Sequence, residues 1–447
     1  MLVPFQRKLG RATGVCMIAV LALIQLAPPA WAVYDHAVSW SDMSSLDLRP
    51  VLASQYASSA NLLEPSIPES ANELVLRDAD NLIHADFHVP AEMRPLVGFW
   101  LRIYTEFTTQ HVVLFDSHHP EVIYEVMDFR ELAKTARNAI VYEILQERRI
   151  KQTVAKYKQA FAQLAKNPKP RKPTPEQTNI LSALRRTSHK HKISEFANNM
   201  RAQTGQRDNV VKGLLAAEGF FPRMEQIFAK NGIPTELTRL ALVESSFDLS
   251  AKSRVGAAGV WQFMRPSAKE YMRVDDQNQI DERLSPLKAT FGAAKLLGRG
   301  KKMFGNWPLA VTSYNQGLAL PRQFKNPAKD GPKIFKLFAT CGNTRLKWAG
   351  RNYYAEFLAI LHAESYRKLY YGHPPTPSLR PTVFAHMKES KSGLELAMSH
   401  GVSFQEFKFM NPDIRDMKRK LPKGFLVALP GERDDIASLF QPFRRKG

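Results

Sequence analysis

Leu240–Phe263 reads L-A-L-V-E-S-S-F-D-L-S-A-K-S-R-V-G-A-A-G-V-W-Q-F, and the rest of the chain takes its meaning from this stretch. Its first half continues a helical pattern that starts at Pro234. Counting back from Glu244, the positions three, four and seven residues earlier are Ala241, Leu240 and Leu237. All three are apolar, so Glu244 lies on the face the helix buries. A carboxylate there is costly as an anion, and burial raises its pKa. A carboxylic acid that keeps its proton near neutral pH is what a general acid requires. An isolated glutamate on such a face is more often a structural group satisfied by an arginine or by backbone, so the reading depends on the company Glu244 keeps.

The chain has 447 residues, enough for two to three domains and a sizeable core. Residues 1–32 read as a secretory leader. Arg7, Lys8 and Arg11 precede an apolar run, Val15–Ala27, that is short for a bilayer span, and Ala30-Trp31-Ala32 offers small residues for cleavage after Ala32. An uncleaved anchor is the alternative. Cys16 lacks the preceding small residues of a lipidation site, and only Cys341 remains after cleavage, so the mature chain forms no internal disulfide. Formal net charge is +21, falling to +18 without the three basic residues of the leader. That balance favours a polyanionic partner. For an exported chain the partner is cell-wall carboxylate or an anionic membrane surface. Nucleic acid is disfavoured by the leader and by the lack of aromatic residues in Arg171–Ile193, which leaves no stacking platform. The expected location is the periplasm or the exterior, with peripheral association to the envelope.

Along the chain, Val33–Asn61 reads as an irregular arm. From Ala71 to about Arg149 the apolar spacing is largely helical. Leu96, Phe99, Trp100, Ile103 and Phe107 form one face, and Val122, Ile123, Val126 and Phe129 another. His118 and His119, in D-S-H-H-P-E, lack a third ligand at a suitable spacing and read as a polar loop, so no metal site is expected. The basic, proline-rich run around Pro168, Pro170, Pro173 and Pro175 reads as a linker or loop, with Arg185, Arg186, Lys190 and Lys192 on a helix beyond it. Helices resume near Ser194. Pro286 suits the first turn of another helix, in which Ala289 and Ala293 allow close packing, and Asn306-Trp307-Pro308 precedes a further one. His373–Pro381 marks a boundary. Beyond it Thr382–Met387 and Phe425–Leu429 read as strands and Ser392–His400 and Ser403–Met410 as helices, giving a β-α-α-β unit. Gly431–Gly447 reads as a frayed basic tail.

Four clusters accompany Glu244: Glu244-Ser245-Ser246, Gly256–Phe263, Ser313-Tyr314-Asn315, and Asn352-Tyr353-Tyr354 ahead of Phe357-Leu358-Ala359. In this order the pattern resembles lytic murein transglycosylases with the goose-type lysozyme fold (the glycoside hydrolase family 23 type), and most closely those carrying LysM modules. The resemblance covers about Asn198–Tyr371. It implies that Glu244 is the sole catalytic acid/base and that Ser245 positions the carboxyl or the glycan. Gly259 and Gln262, in G-V-W-Q where the family has G-L-M-Q, would line the sugar cleft. Tyr314 and Asn315, in S-Y-N where the family has A-Y-N, would orient substrate. Tyr353 matches the family's tyrosine near the acid, with Tyr354 as the alternative one residue on. Asp248, four residues after Glu244, is the rival second carboxylate, but Asp248-Leu249-Ser250 has the look of a helix end. Thr382–Pro430 resembles a divergent LysM module, whose usual G-D-T-L is replaced by Lys391-Ser392-Gly393-Leu394.

The expected fold is therefore mainly α. It comprises a leader (1–32), an N-terminal arm and helical extension with a basic proline-rich linker (33–197), a lysozyme-like catalytic domain (198–372), a small LysM-like module (382–430) and a basic tail (431–447). The resemblance implies non-hydrolytic cleavage of the bond between N-acetylmuramic acid and N-acetylglucosamine in peptidoglycan, leaving 1,6-anhydro-muramoyl ends, with no cofactor and no metal. A lysozyme-type hydrolase on the same fold, and a non-catalytic wall-binding or scaffold protein, are the alternatives.

Overall fold

The computed structural model describes residues 69–185, 193–319, 334–336, 338, 346, 348–372 and 381–440. The leader, the arm, Cys341, the boundary segment 373–380, the tail from 441, and Arg186, Lys190 and Lys192 lie outside the described residues.

Helix α1 (Glu69–Leu76) leads into α2 (Arg94–Thr105), which has Pro95 in its first turn and buries Leu96, Phe99, Trp100 and Ile103 along the stripe their spacing predicts. The chain then forms strands, not helix: β1 (His111–Asp116) and β2 (Ile123–Asp128) pair antiparallel, with Val113 opposite Val126. The helical expectation for Val122–Phe129 is thus corrected. Its apolar residues also fit a strand, and β-branched side chains suit the pleat. His118 and His119 lie in the turn between the two strands, where both N–H groups donate to Asp116 Oδ1 at 2.8 Å.

A short and a long helix follow β2: α3 (Arg130–Thr135) and then α4 (Ala139–Lys166), of 28 residues. The proline cluster turns α4 back into α5 (Pro175–Arg185), so it is the bend of a helical hairpin. Helix α6 (Ile193–Asn199) runs into β3 (Met200–Thr204), the third strand of a sheet ordered β2-β1-β3. The sheet divides two cores. Val113 and Phe115 face the main core, while Leu114 on the other face packs with Tyr157, Phe161 and Leu164 of α4.

The remaining helices surround the opening stretch. They are α7 (Arg207–Ala217), α8 (Phe221–Lys230), a 3₁₀ turn (Thr235–Arg239), α9 (Leu240–Ser245), α10 (Arg265–Ala268), α11 (Pro286–Phe304), α12 (Trp307–Gln316), α13 (Trp348–Ser365) and α14 (Arg367–Tyr371). A small hairpin, β4 (Val274–Asp275) and β5 (Ile280–Asp281), precedes α11. Ala289 and Ala293 of α11 are fully buried, as close packing requires. Helix α13 packs along α2, and Trp100 Nε1 donates to Asn352 Oδ1 at 2.7 Å. The main core takes in residues on both sides of position 198, from Val75 to Phe115 and from Val210 onward, and reaches Leu439 in the C-terminal unit.

The C-terminal unit has the expected order: β6 (Thr382–His386), α15 (Gly393–Ser399), α16 (Phe404–Met410) and β7 (Leu426–Pro430), with β6 antiparallel to β7. Ser392, in the loop that departs from the LysM pattern, caps α15. Its Oγ accepts from Glu395 N, and Glu395 Oε2 accepts from Ser392 N at 2.6 Å. The expectation of fraying from Gly431 is corrected as far as Phe440. Ile436 and Leu439 are buried, and Phe440 meets Phe291 edge-on at 5.7 Å.

Candidate active site

Glu244 sits in the last turn of α9 and is 7% exposed. Leu237, Leu240 and Ala241 are fully buried beside it, as their spacing requires. Its carboxylate accepts a short hydrogen bond from the Tyr353 hydroxyl, brought in by α13. Burial pushes the Glu244 pKa up from 4.5 to about 7, against the Tyr353 hydrogen bond, which favours the anion. Tyr353 and Tyr314 are both pushed well above their ordinary range, by burial first and then by the nearby Glu244 charge. The carboxylate thus faces two neutral phenols, one from α12 and one from α13.

Helix α9 stops directly after this group. Ser246 and Phe247 take φ values of +49° and +57°, a left-handed turn that bulkier residues rarely adopt, here at the end of the helix that carries the acid. Asp248 therefore does not continue the helix face of Glu244. Its Oδ1 accepts from Ser250 N and Ser250 Oγ, both at 2.8 Å, the work of a turn residue.

The second half of the opening stretch forms a wall beside Glu244. Ser245 Oγ lies 3.0 Å from Val260 O and 3.2 Å from Ala241 O, so its hydroxyl ties this wall to α9 from a buried position. Tyr314 Oη donates to Trp261 O at 2.9 Å, and Trp261 Nε1 donates to Thr290 Oγ1 at 2.8 Å. Gly259 has φ +72°, and a Cβ built there would lie 1.8 Å from Arg283 O. Its place is a turn under close backbone approach. Gln262 donates from Nε2 to Gly259 O at 2.8 Å. Its buried Oε1 has no hydrogen-bond partner among the described residues, leaving an acceptor for an incoming hydroxyl or amide N–H.

Asn315 is exposed at the end of α12, where its Oδ1 accepts from Gln316 Nε2. Tyr354 is corrected out of the site. It is 1% exposed and packs against Phe335, Phe338 and Phe357, on a different side of α13 from Tyr353. Adjacent helical residues point about 100° apart, so only one of the pair can meet Glu244. Arg283, which the sequence presents only as part of the polar stretch Asp281-Glu282-Arg283, has a structural role at the wall. It bonds Asp281 through Nε and Nη2 at 2.9 and 2.8 Å, and Nη1 donates to Gly256 O and Phe263 O at 2.8 and 3.1 Å, clamping both ends of the wall. No spacing rule marks such an arginine beforehand.

Removing the Tyr314 hydroxyl is expected to leave Trp261 O without its donor and to cost about 1–3 kcal/mol. Urea unfolding of Tyr314→Phe against the wild-type chain measures it.

A buried, proton-retaining glutamic acid opposite two tyrosines, on a mainly helical scaffold, is an arrangement suited to general acid catalysis. Residues 224–335 match the family model described as transglycosylase SLT domain. Membrane-bound lytic murein transglycosylase D of Escherichia coli strain K12 is 38% identical over 89 residues, which is 20% of this chain and 20% of that protein. The putative tributyltin chloride resistance protein of Alteromonas sp. strain M-1 is 33% identical over 113 residues, 24% of this chain and 53% of that protein. Peptidoglycan transglycosylase gp16 of Escherichia phage T7 is 41% identical over 90 residues, 20% of this chain and 7% of that protein. The chain thus spans between 7% and 53% of the length of these relatives.

Proposed function

We propose that this chain is an exported lytic transglycosylase of peptidoglycan, with Glu244 as its single general acid and base. The observation that carries the reading is the buried Glu244 carboxyl. Its pKa is raised to about 7 and it is hydrogen-bonded by Tyr353, within a stretch that matches the SLT domain. Protonated Glu244 gives its proton to the leaving glycosidic oxygen as the bond to the muramoyl C1 breaks. The resulting carboxylate takes the proton of the muramoyl 6-hydroxyl, whose oxygen attacks C1 and closes the 1,6-anhydro ring. Glu244 ends protonated, ready for another cycle. The attacking group belongs to the substrate, so the reaction gains from intramolecular positioning and needs no second carboxylate to activate water. The turn role of Asp248 fits that economy. Tyr314 and Tyr353 hold the acid and the wall, and Gln262 Oε1 and exposed Asn315 are the groups free to meet the glycan.

We assign the leader of 1–32 to export, the β-α-α-β module to the wall-binding LysM type, and the site of action to the envelope. Among the described residues no helix is long and apolar enough to cross a membrane. Incubation with purified peptidoglycan sacculi tests the function. Release of soluble muropeptides is expected, whereas binding without release would turn the reading to a wall-binding scaffold.

Tyr353 makes a further test. Tyr353→Phe removes the donor that favours the ionised carboxyl, so Glu244 keeps its proton to higher pH. The upper limb of the pH–rate profile then moves to higher pH, while Tyr354→Phe leaves the limb in place.

A further inference from the structure

The C-terminal module is built into the catalytic region. Lys288, in the first turn of α11, inserts into it with a side chain 4% exposed. Its Nζ donates to Asp413 Oδ2 at 2.6 Å and Leu426 O at 2.5 Å, and stands 4.2 Å from the Phe425 ring centre. Asp413 is itself fully buried, and Glu282 approaches the same ammonium at 3.4 Å. The backbone joins as well: Asp281 N donates to Asp413 O at 2.8 Å, Arg415 N to Gln279 O at 2.8 Å, and Ile280 bridges to Ile414. Ile280 even belongs to the module's own core, with Phe407, Ile414 and Leu421.

The residues held this way lie next to the clamp on the cleft wall. Asp281 donates its backbone N–H to Asp413 O, and both its carboxylate oxygens accept from Arg283, which donates in turn to Gly256 O and Phe263 O. Between those two carbonyls lie Val260 and Trp261, bonded to Ser245 and Tyr314. A continuous run of buried and half-buried hydrogen bonds and intervening backbone therefore joins Asp413 to the residues flanking Glu244, the kind of contiguous network through which position is transmitted.

We propose that the module serves the catalytic site as a positioning domain, with Asp413 and Arg283 as positioning residues that fix the Gly256–Phe263 wall beside Glu244. This rests on the transglycosylase reading and goes beyond tethering the enzyme to the wall. A tether acts on substrate capture. A positioning domain acts on turnover, because small displacements near reacting groups carry large rate costs.

The test compares wild-type chain with Asp413→Ala, Asp413→Asn and, as a seam variant that leaves the ion pair intact, Ile414→Ala. Hydrogen–deuterium exchange is read over residues 256–263 and 279–283. Turnover is read on soluble glycan oligomers, and binding is read on sacculi. Asp413→Ala and Ile414→Ala are expected to raise exchange in both segments and to lower kcat at least about fivefold, with KM and sacculus binding near wild type. Asp413→Asn keeps an oxygen for Lys288 and restores most of the rate. If Asp413→Ala fails to fold, Ile414→Ala carries the comparison. Unchanged exchange at 256–263, or raised exchange there with wild-type kcat, overturns the proposal, as does a loss confined to sacculus binding. Should the wild-type chain release no product at all, the enzymatic reading falls by itself, and the exchange data still decide whether the module positions the wall.

Discussion

Glu244→Gln is expected to lower peptidoglycan turnover by about 10²–10⁴-fold, the usual contribution of a positioned general acid and base, while making the folded chain more stable at alkaline pH. The stability change follows from the raised pKa. In the unfolded chain Glu244 ionises near 4.5, whereas in the folded chain it holds its proton to about 7. The favourable contribution of the neutral folded carboxyl is complete below the unfolded value and is lost as pH rises through about 7. The loss amounts to roughly 3 kcal/mol at 1.36 kcal/mol per unit. Glutamine does not titrate and escapes that loss. Thermal melts at pH 4 and pH 8 check it: the variant should match wild type at pH 4 and melt higher at pH 8. A variant that loses activity and also melts lower at pH 8 would point instead to a structural role for the carboxylate.

Gly259→Ala is expected to be among the most damaging small substitutions in the wall. The added Cβ would stand 1.8 Å from Arg283 O, a backbone atom that cannot swing aside, at a residue with φ +72°. Overpacking and left-handed strain together come to about 2–5 kcal/mol. Relief requires the wall to move away from Arg283, which also displaces Gln262 and Trp261, so activity should fall with stability. Gly256→Ala is the matched control. Its φ is +89° but nothing lies within 4 Å of the added Cβ, so it bears only the backbone strain, about 1–2 kcal/mol. Urea midpoints of the two variants, with muropeptide release from each, give the comparison, and equal midpoints would contradict the packing role assigned to Gly259.

Much of the site was legible because local spacing controls it. Three apolar residues on one helical face were enough to bury Glu244, and burial was enough to raise its pKa. The turn at Asp248 and the four elements of the C-terminal unit followed equally from caps, turn residues and periodicity. Tyr353 and Tyr354 could not be separated, since a helix start uncertain by one residue rotates the face by about 100°. Val122–Phe129 was misread because its strand is fixed by pairing with β1, which in turn pairs with Met200–Thr204, and no local pattern records such distant partners. Arg283, Lys288 and Asp413 were invisible for the same reason. Each looks like a solvated charge until partners distant in sequence are in place. The resemblance added what spacing could not, a role for Gly259, yet the structure gives that glycine a backbone reason of its own.

The most direct test of the account is mass spectrometry of the ends released from purified peptidoglycan by the wild-type chain, with Glu244→Gln as control. The wild type is expected to release 1,6-anhydro-muramoyl ends, and the variant none above background. Reducing muramoyl ends would contradict it, showing that water attacks in place of the 6-hydroxyl.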